Sequence, residues 1–263
     1  MKKSILTLAL AVAFGATASA QTPAKPAEKP AAKSDEMTPG MTQIFSPVPP
    51  VVDPGPFDAV LPVPSDAIVL LGKNGKMDEW KRAKDGAPCP WKYENGVMTV
   101  VPGTGAILSR RSFGDCQLHV EWRSPVPPTG NSQGRGNSGI FMQNLYEIQV
   151  LDSYNNPTYV NGQAGAIYKQ SIPLVNPCRE PGKWNVYDII FTAPRFNDKG
   201  QVLYPARATV LFNGVLVQND FHILGPTLNI GVPRYGEPYT GGPIQLQDHN
   251  HPVSYRNIWI REL

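Results

Sequence analysis

Cys116-Gln117-Leu118-His119-Val120-Glu121-Trp122-Arg123 is the stretch on which the fold turns. Leu118, Val120 and Trp122 fall on one side of an extended chain, and Gln117, His119, Glu121 and Arg123 on the other. Cys116 phases with the apolar side. A period of two belongs to a strand buried on one face. The same period recurs downstream: Tyr146, Ile148 and Val150 oppose Glu147 and Gln149, and Ile244, Leu246 and Asp248 oppose Gln245, Gln247 and His249. The apolar sides must bury against a second sheet. The opposite sides collect carboxylate, imidazole and amide groups, where an ordinary solvated sheet favours Lys, Thr and Glu. A curved sheet would make such a side a groove for a polyhydroxylated ligand. A solvated outer face is the other reading, and the pattern leaves both open.

From about Ser65 onward the whole chain reads this way. Short runs rich in Val, Ile, Tyr, Phe and Trp are separated by Gly, Pro, Asn and Asp. They predict strands near residues 68–71, 91–94, 97–100, 106–109, 116–123, 138–143, 146–151, 184–193, 206–212, 215–218, 244–247 and 253–262. Asn95-Gly96 and Asn213-Gly214 carry the signal of a tight hairpin turn. No stretch sustains a 3.6-residue apolar period, so helix should be scarce. About a dozen strands in ~200 residues fit an all-β jelly-roll sandwich of two antiparallel sheets. No fixed repeat is visible, against a propeller or β-helix.

The first 64 residues are different material. Met1-Lys2-Lys3, an apolar run to Gly15 and Ala18-Ser19-Ala20 read as a secretory signal peptide over 1–20. Residues 21–64 hold 11 prolines and read as a Pro/Ala-rich linker. Its first half is expected to be an extended tether, and 44–63 to lie along the domain surface. The catalytic domain would then be 65–263. Export implies a periplasmic or secreted protein with no transmembrane segment after cleavage. It also makes the three cysteines one disulfide plus one free thiol. Cys89 and Cys178, each beside proline in loop-like context, are the expected pair. Removing Lys2 and Lys3 takes 24 basic residues to 22 against 21 acidic. With no basic run of five, nucleic acid is not an expected partner.

A set of motifs resembles the 3-keto-disaccharide hydrolase family. They are Gly136-Asn137-Ser138-Gly139-Ile140-Phe141-Met142-Gln143, Tyr146-Glu147-Ile148-Gln149-Val150-Leu151-Asp152-Ser153, Gly165-Ala166-Ile167-Tyr168, Pro181-Gly182-Lys183-Trp184-Asn185-Val186-Tyr187-Asp188-Ile189, Asn213-Gly214-Val215-Leu216-Val217-Gln218, Leu246-Gln247-Asp248-His249 and Arg256-Asn257-Ile258-Trp259-Ile260. They run in the family's order over roughly 67–263. The resemblance implies a concanavalin A-like jelly roll acting on sugars already oxidised to a ketone at C3. The chemistry it implies is 1,2-elimination, followed in some members by hydration. A separate sugar 3-dehydrogenase would supply the substrate, since nothing here binds a nicotinamide or flavin. No cofactor is assigned. A divalent metal would stabilise the enolate of such a reaction, and no residue pattern designates its ligands.

Such chemistry needs a base near C2, a hydrogen-bonding or positive group at the C3 oxygen, and a proton donor for the leaving group. Glu147 is the leading base candidate. Glu147, Gln149 and Asp152 resemble the Glu-x-Asp-x-x-Glu strand of jelly-roll β-glucanases. Here an amide replaces the central acid, which disfavours double displacement by paired carboxylates. Asp152 would point away from Glu147 unless a bulge re-aims it, and it heads a turn that it can equally stabilise. His119 with Glu121, and His249, are further acid–base or ligand candidates. Gln149, Glu121, Arg135, Lys169, Tyr168 and Trp184 are candidate substrate contacts. His222 and His251 are read as surface histidines. The glycine-rich 130–136 lacks a phosphate-loop ending and is expected to be a mobile loop at the groove rim. A non-catalytic carbohydrate-binding module, or an envelope interaction protein on a proline-rich stalk, would suit the same fold.

Overall fold

A computed structural model describes residues 37–56, 60–72 and 77–263, all within one compact unit, Met37–Leu263. The predicted signal peptide and residues 21–36 of the linker lie outside the described residues. The strands in chain order are β1 (Ile68–Leu71), β2 (Trp80–Arg82), β3 (Lys92–Glu94), β4 (Val97–Thr99), β5 (Ile107–Phe113), β6 (Cys116–Arg123), β7 (Ser138–Met142) and β8 (Tyr146–Val150). They continue with β9 (Asn185–Thr192), β10 (Arg195–Phe196), β11 (Val202–Tyr204), β12 (Arg207–Phe212), β13 (Val215–His222), β14 (Gly242–Leu246) and β15 (Ser254–Glu262). An eight-stranded antiparallel sheet has the order β13-β12-β9-β6-β15-β4-β3, with β1 also on β15. A five-stranded sheet has the order β2-β5-β14-β7-β8, and β10 pairs with β11. Helix among the described residues is limited to four 3-10 turns. This is a concanavalin A-like jelly-roll β-sandwich.

The core lies where the period-two pattern puts it. Leu118, Val120 and Trp122 of β6 meet Tyr146, Ile148 and Val150 of β8 and Ile244 and Leu246 of β14, all fully buried. Trp122 stacks on Phe212 at 5.8 Å between ring centroids and tilts against Tyr187 at 5.5 Å. Burying each such side chain contributes about 1.5–3 kcal/mol. Both Asn-Gly pairs close hairpins with positive φ, 50° and 82° at 95–96 and 54° and 79° at 213–214. Asn213 adds three bonds of its own: it accepts from the Val186 N–H and donates to Pro177 O and Asn185 Oδ1. Strands β2, β10 and β11 were not expected, being too short to display a period.

Residues before β1 follow the sandwich surface by hydrogen bonding. Ile44 N donates to Asn161 Oδ1 and Asn161 Nδ2 to Thr42 O, both at 2.9 Å. Val52 N donates to Asn176 O, and Asn176 N to Pro50 O. Leu61 lies over β6 and β15, its N–H 3.4 Å from Glu121 Oε1 and its carbonyl accepting from Asn257 Nδ2 at 3.0 Å.

The expected Cys89–Cys178 disulfide is absent: Cys89, Cys116 and Cys178 are all free. Each sulfur of the expected pair has a local partner instead. The Cys178 thiol donates to Arg179 O at 3.4 Å, and Cys89 is hydrogen-bonded to the backbone at Trp91. Burial pushes the Cys89 thiol up to about 11 and that of Cys178 to about 12, so both remain protonated.

Candidate active site

Since the apolar phases of the two sheets face each other, their polar phases face in opposite directions. This separates the predicted site residues into groups. On the five-stranded sheet the polar phases of β14, β7 and β8 align in rows. Gln245 is opposite Phe141 and Phe141 opposite Glu147, while Gly139 is opposite Gln149. Residues 165–168 extend this sheet past β8: Ile167 bridges Ile148, and Tyr168 N donates to Glu147 O at 3.1 Å. Tyr168 thereby stands beside Glu147.

Over these rows lies a cavity of about 330 Å³. Phe141, Glu147 and Gln149 come from the sheet, and Gln247 follows directly on β14; Gln133, Asn137, Tyr159, Tyr168, Thr227, Asn229 and His249 come from the surrounding segments. Of the expected residues, Glu147, Gln149, Tyr168 and His249 meet here. The glycine-rich loop does border the groove, but it is tied down: Ser132 N donates to Asn156 Oδ1, and Gln133 Nε2 to Gly162 O.

Glu147 is 4% exposed, and its carboxyl receives no hydrogen bond among the described residues. Burial alone pushes it up to about 8. Gly139 makes its position possible, because a Cβ there would lie 2.4 Å from Glu147 Oε1. Beside the acid, Gln149 Nε2 donates to Gln133 Oε1 at 3.0 Å and Gly162 O at 3.1 Å, which fixes the amide. Its Oε1, like that of Gln247, is buried without a partner. Buried acceptors left unmatched are costly, and sugar hydroxyls are donors of the right kind.

Tyr168 and Tyr159 share a 2.7 Å hydroxyl–hydroxyl hydrogen bond. Burial raises both phenols, so both stay protonated. Lys169 lies just outside the cavity. Its ammonium donates to Pro39 O at 2.9 Å and Asn229 O at 2.6 Å, and stands 5.9 and 5.8 Å from the Tyr159 and Tyr168 ring centroids. His249, at the mouth, stacks on His251 at 5.9 Å. Desolvation and that neighbour lower its pKa, leaving a neutral imidazole at pH 7.

The other expected residues are elsewhere. His119 and Glu121 lie on the outer face of the eight-stranded sheet, and their bonding capacity is taken up there. His119 Nδ1 is 2.7 Å from Asp188 Oδ1, Nε2 is 3.6 Å from Glu121 Oε1, and the ring stacks on Trp259 at 4.8 Å. Burial alone would lower the imidazole; the two carboxylates outweigh it and raise it. Glu121 also pairs with Arg256 and accepts from Asn257. Trp184 packs against the guanidinium groups of Arg123 and Arg256 on that same side. Asp152 and Arg135 bind each other at 2.7 Å, and Arg135 also donates to Tyr154 O. Asp152 further accepts from Tyr154 N, as its place at the head of a turn suggested.

Glu147 and His249 are the only His, Cys, Asp or Glu side chains lining the cavity, and no three such residues are placed to hold a metal ion among the described residues. Two ligands of this kind are fewer than protein metal centres ordinarily use, so the set does not fit a metal. A larger cleft of about 640 Å³ lies beside Asp115 and Arg195, but these two pair with each other at 2.6 Å.

Sequence reasoning missed Gln133, Asn137, Phe141, Tyr159, Thr227, Asn229 and Gln247. The phase of β7 would have placed Phe141 beside Glu147. Thr227 and Asn229 lie in irregular chain with no pattern to mark them.

A jelly roll with an acid, amides and aromatics in one cavity defines a carbohydrate-active type of protein. The chain belongs to the 3-keto-alpha-glucoside-1,2-lyase-like domain family, which matches residues 66–261. It is similar to a candidate glycosyl hydrolase from Parabacteroides distasonis ATCC 8503, at 50% identity over 86% of this chain and 97% of that one, with TM-score 0.73. A second candidate glycosyl hydrolase of that organism shares the fold at 19% identity, TM-score 0.51, over 71% of this chain and 89% of its own. None of the curated proteins matches the chain.

Proposed function

We propose that this protein is an exported enzyme that cleaves 3-keto-glycosides by base-catalysed 1,2-elimination, with Glu147 as the base. The observation that carries this reading is the buried carboxyl of Glu147, unpaired and pushed up to about 8, beside two amide oxygens without partners. A carboxylate so disfavoured is a stronger base than an exposed one. A C3 ketone acidifies the C2–H. Glu147 takes that proton, the C–H electrons become the enolate, and the enolate expels the C1 oxygen. Gln149 and Gln247 accept hydrogen bonds from sugar hydroxyls. If Tyr159 donates within the tyrosine pair, Tyr168 keeps its own proton for the departing oxygen. Adding water across the resulting double bond completes a net hydrolysis. The substrate must come from a reaction that oxidises a sugar C3 hydroxyl.

The test uses both anomers of a 4-nitrophenyl 3-keto-glucoside beside their unoxidised parents, with wild type and Glu147→Gln, with and without a chelator. Release from the keto-sugar alone, lost in the variant, is the expected result. Sugar binding without release would make the protein a carbohydrate-binding module. Chelator sensitivity would require a metal for which the described side chains provide no evident centre.

A further inference from the structure

The family match begins at residue 66, yet the chain before it touches the cavity wall. Met41, Ile44 and Phe45 are 62%, 43% and 62% exposed, so apolar burial does not account for the docking of this strap. Directed hydrogen bonds do. Asn161 is fully buried, and both arms of its amide go to the strap, one to Ile44 N–H and the other to Thr42 O. Val160 N donates to Ile44 O at 2.6 Å, and Phe45 meets the Tyr159 ring edge-on at 6.3 Å. Lys169 closes the circuit. Its backbone N–H donates to Asn161 O at 2.8 Å, while its ammonium joins Pro39 O of the strap to Asn229 of the cavity. Tyr159 and Tyr168, two walls of the cavity, are thus held between strap and sheet.

We infer that residues 39–45 are a working part of the active site, and that Asn161 is a positioning residue which, by clasping them, keeps Tyr159, Tyr168 and Lys169 arranged to receive the sugar. The inference rests on the keto-sugar reading of this cavity. It implies reciprocal coupling: a sugar in the cavity tightens the strap, and a released strap weakens the sugar.

The experiment measures KM and kcat of the full chain with the 4-nitrophenyl 3-keto-glucosides for wild type, Asn161→Ala and Phe45→Ala. Because Phe45 is exposed, its variant keeps the fold even if loss of the buried Asn161 does not. Thermal melting and near-ultraviolet circular dichroism check each. KM should rise about tenfold in Asn161→Ala, as expected for two lost hydrogen bonds, and severalfold in Phe45→Ala, with kcat changed less than about threefold. Chymotrypsin cleavage at Phe45 should slow when wild type is given the keto-sugar, and this protection should vanish in Asn161→Ala. An active wild type with KM unchanged in both variants, or with no protection at Phe45, overturns the inference and leaves the function standing. A folded wild type inert toward both anomers overturns the function and the inference together.

Discussion

Glu147→Gln should change how stability depends on pH. The carboxyl is ordinarily at 4.5 and burial pushes it to about 8. Between those values the folded protein binds a proton that the unfolded chain has released, so stability must fall as pH rises. At about 1.36 kcal/mol per pH unit, the penalty reaches roughly 5 kcal/mol once the pH is above about 8. That is a large share of the ~5–15 kcal/mol that holds a domain together. Glutamine has nearly the same shape and cannot ionise. Its N–H groups carry a desolvation cost of their own, but that cost does not vary with pH. His119 has a raised pKa and also loses its stabilising contribution as pH rises; it is present in both proteins and cancels in the difference. Urea unfolding at about pH 5, 7 and 9 should show wild type and variant diverging in the variant's favour with increasing pH. Parallel curves would refute the reasoning, because they would mean that burial does not resist ionisation of Glu147.

The same carboxyl should govern the rate: kcat/KM of wild type should climb toward alkaline pH with an apparent pKa near 8, read from a pH profile on the keto-glucoside. Gly139→Ala puts a methyl where the Glu147 carboxyl now rests; circular dichroism should be unchanged while kcat falls about a hundredfold. His119→Ala takes from Asp188 its 2.7 Å hydrogen-bond partner and from Trp259 its stacked ring, and should cost about 1–3 kcal/mol in urea unfolding while KM and kcat stay at wild-type values. Alkylation of the denatured, unreduced protein should add three groups by mass, one per free cysteine; a single addition would restore the disulfide.

How much of this was readable before the structure depended on the kind of signal. Alternation along β6, β8 and β14 is a local property of the chain, and it gave the sandwich and the facing apolar sides. The Asn-Gly turns were equally local. Alternation says that His119 and Glu147 each lie on a polar face, but not that the two faces point in opposite directions. That depends on strand order, which places β6 in one sheet and β8 in the other. Arg135 and Asp152 were candidates for the ligand because their mutual ion pair joins the two ends of the β7–β8 hairpin, which neither local run can reveal. The disulfide failed similarly: proline-flanked cysteines suggested exposed loops, whereas Cys178 is 7% exposed and packed with the core. Glu147, Gln149, Tyr168 and His249 were reachable because strand phase or family motif marked each one.

The strap also bears on where this protein can be cut. A fragment starting at residue 66, where the family match starts, would keep all fifteen strands of the described residues. It would leave the Asn161 amide without Thr42 and Ile44, Asn176 without Pro50 and Val52, and Glu121 and Asn257 without Leu61. Water can reach some of these groups, but Asn161 and Glu121 are fully buried in the intact chain. Each buried polar group so abandoned costs about 1–3 kcal/mol. The boundary drawn by likeness and the boundary drawn by cohesion therefore differ by some thirty residues, and an expression clone designed on the first would remove a surface that the folded protein is built to have covered.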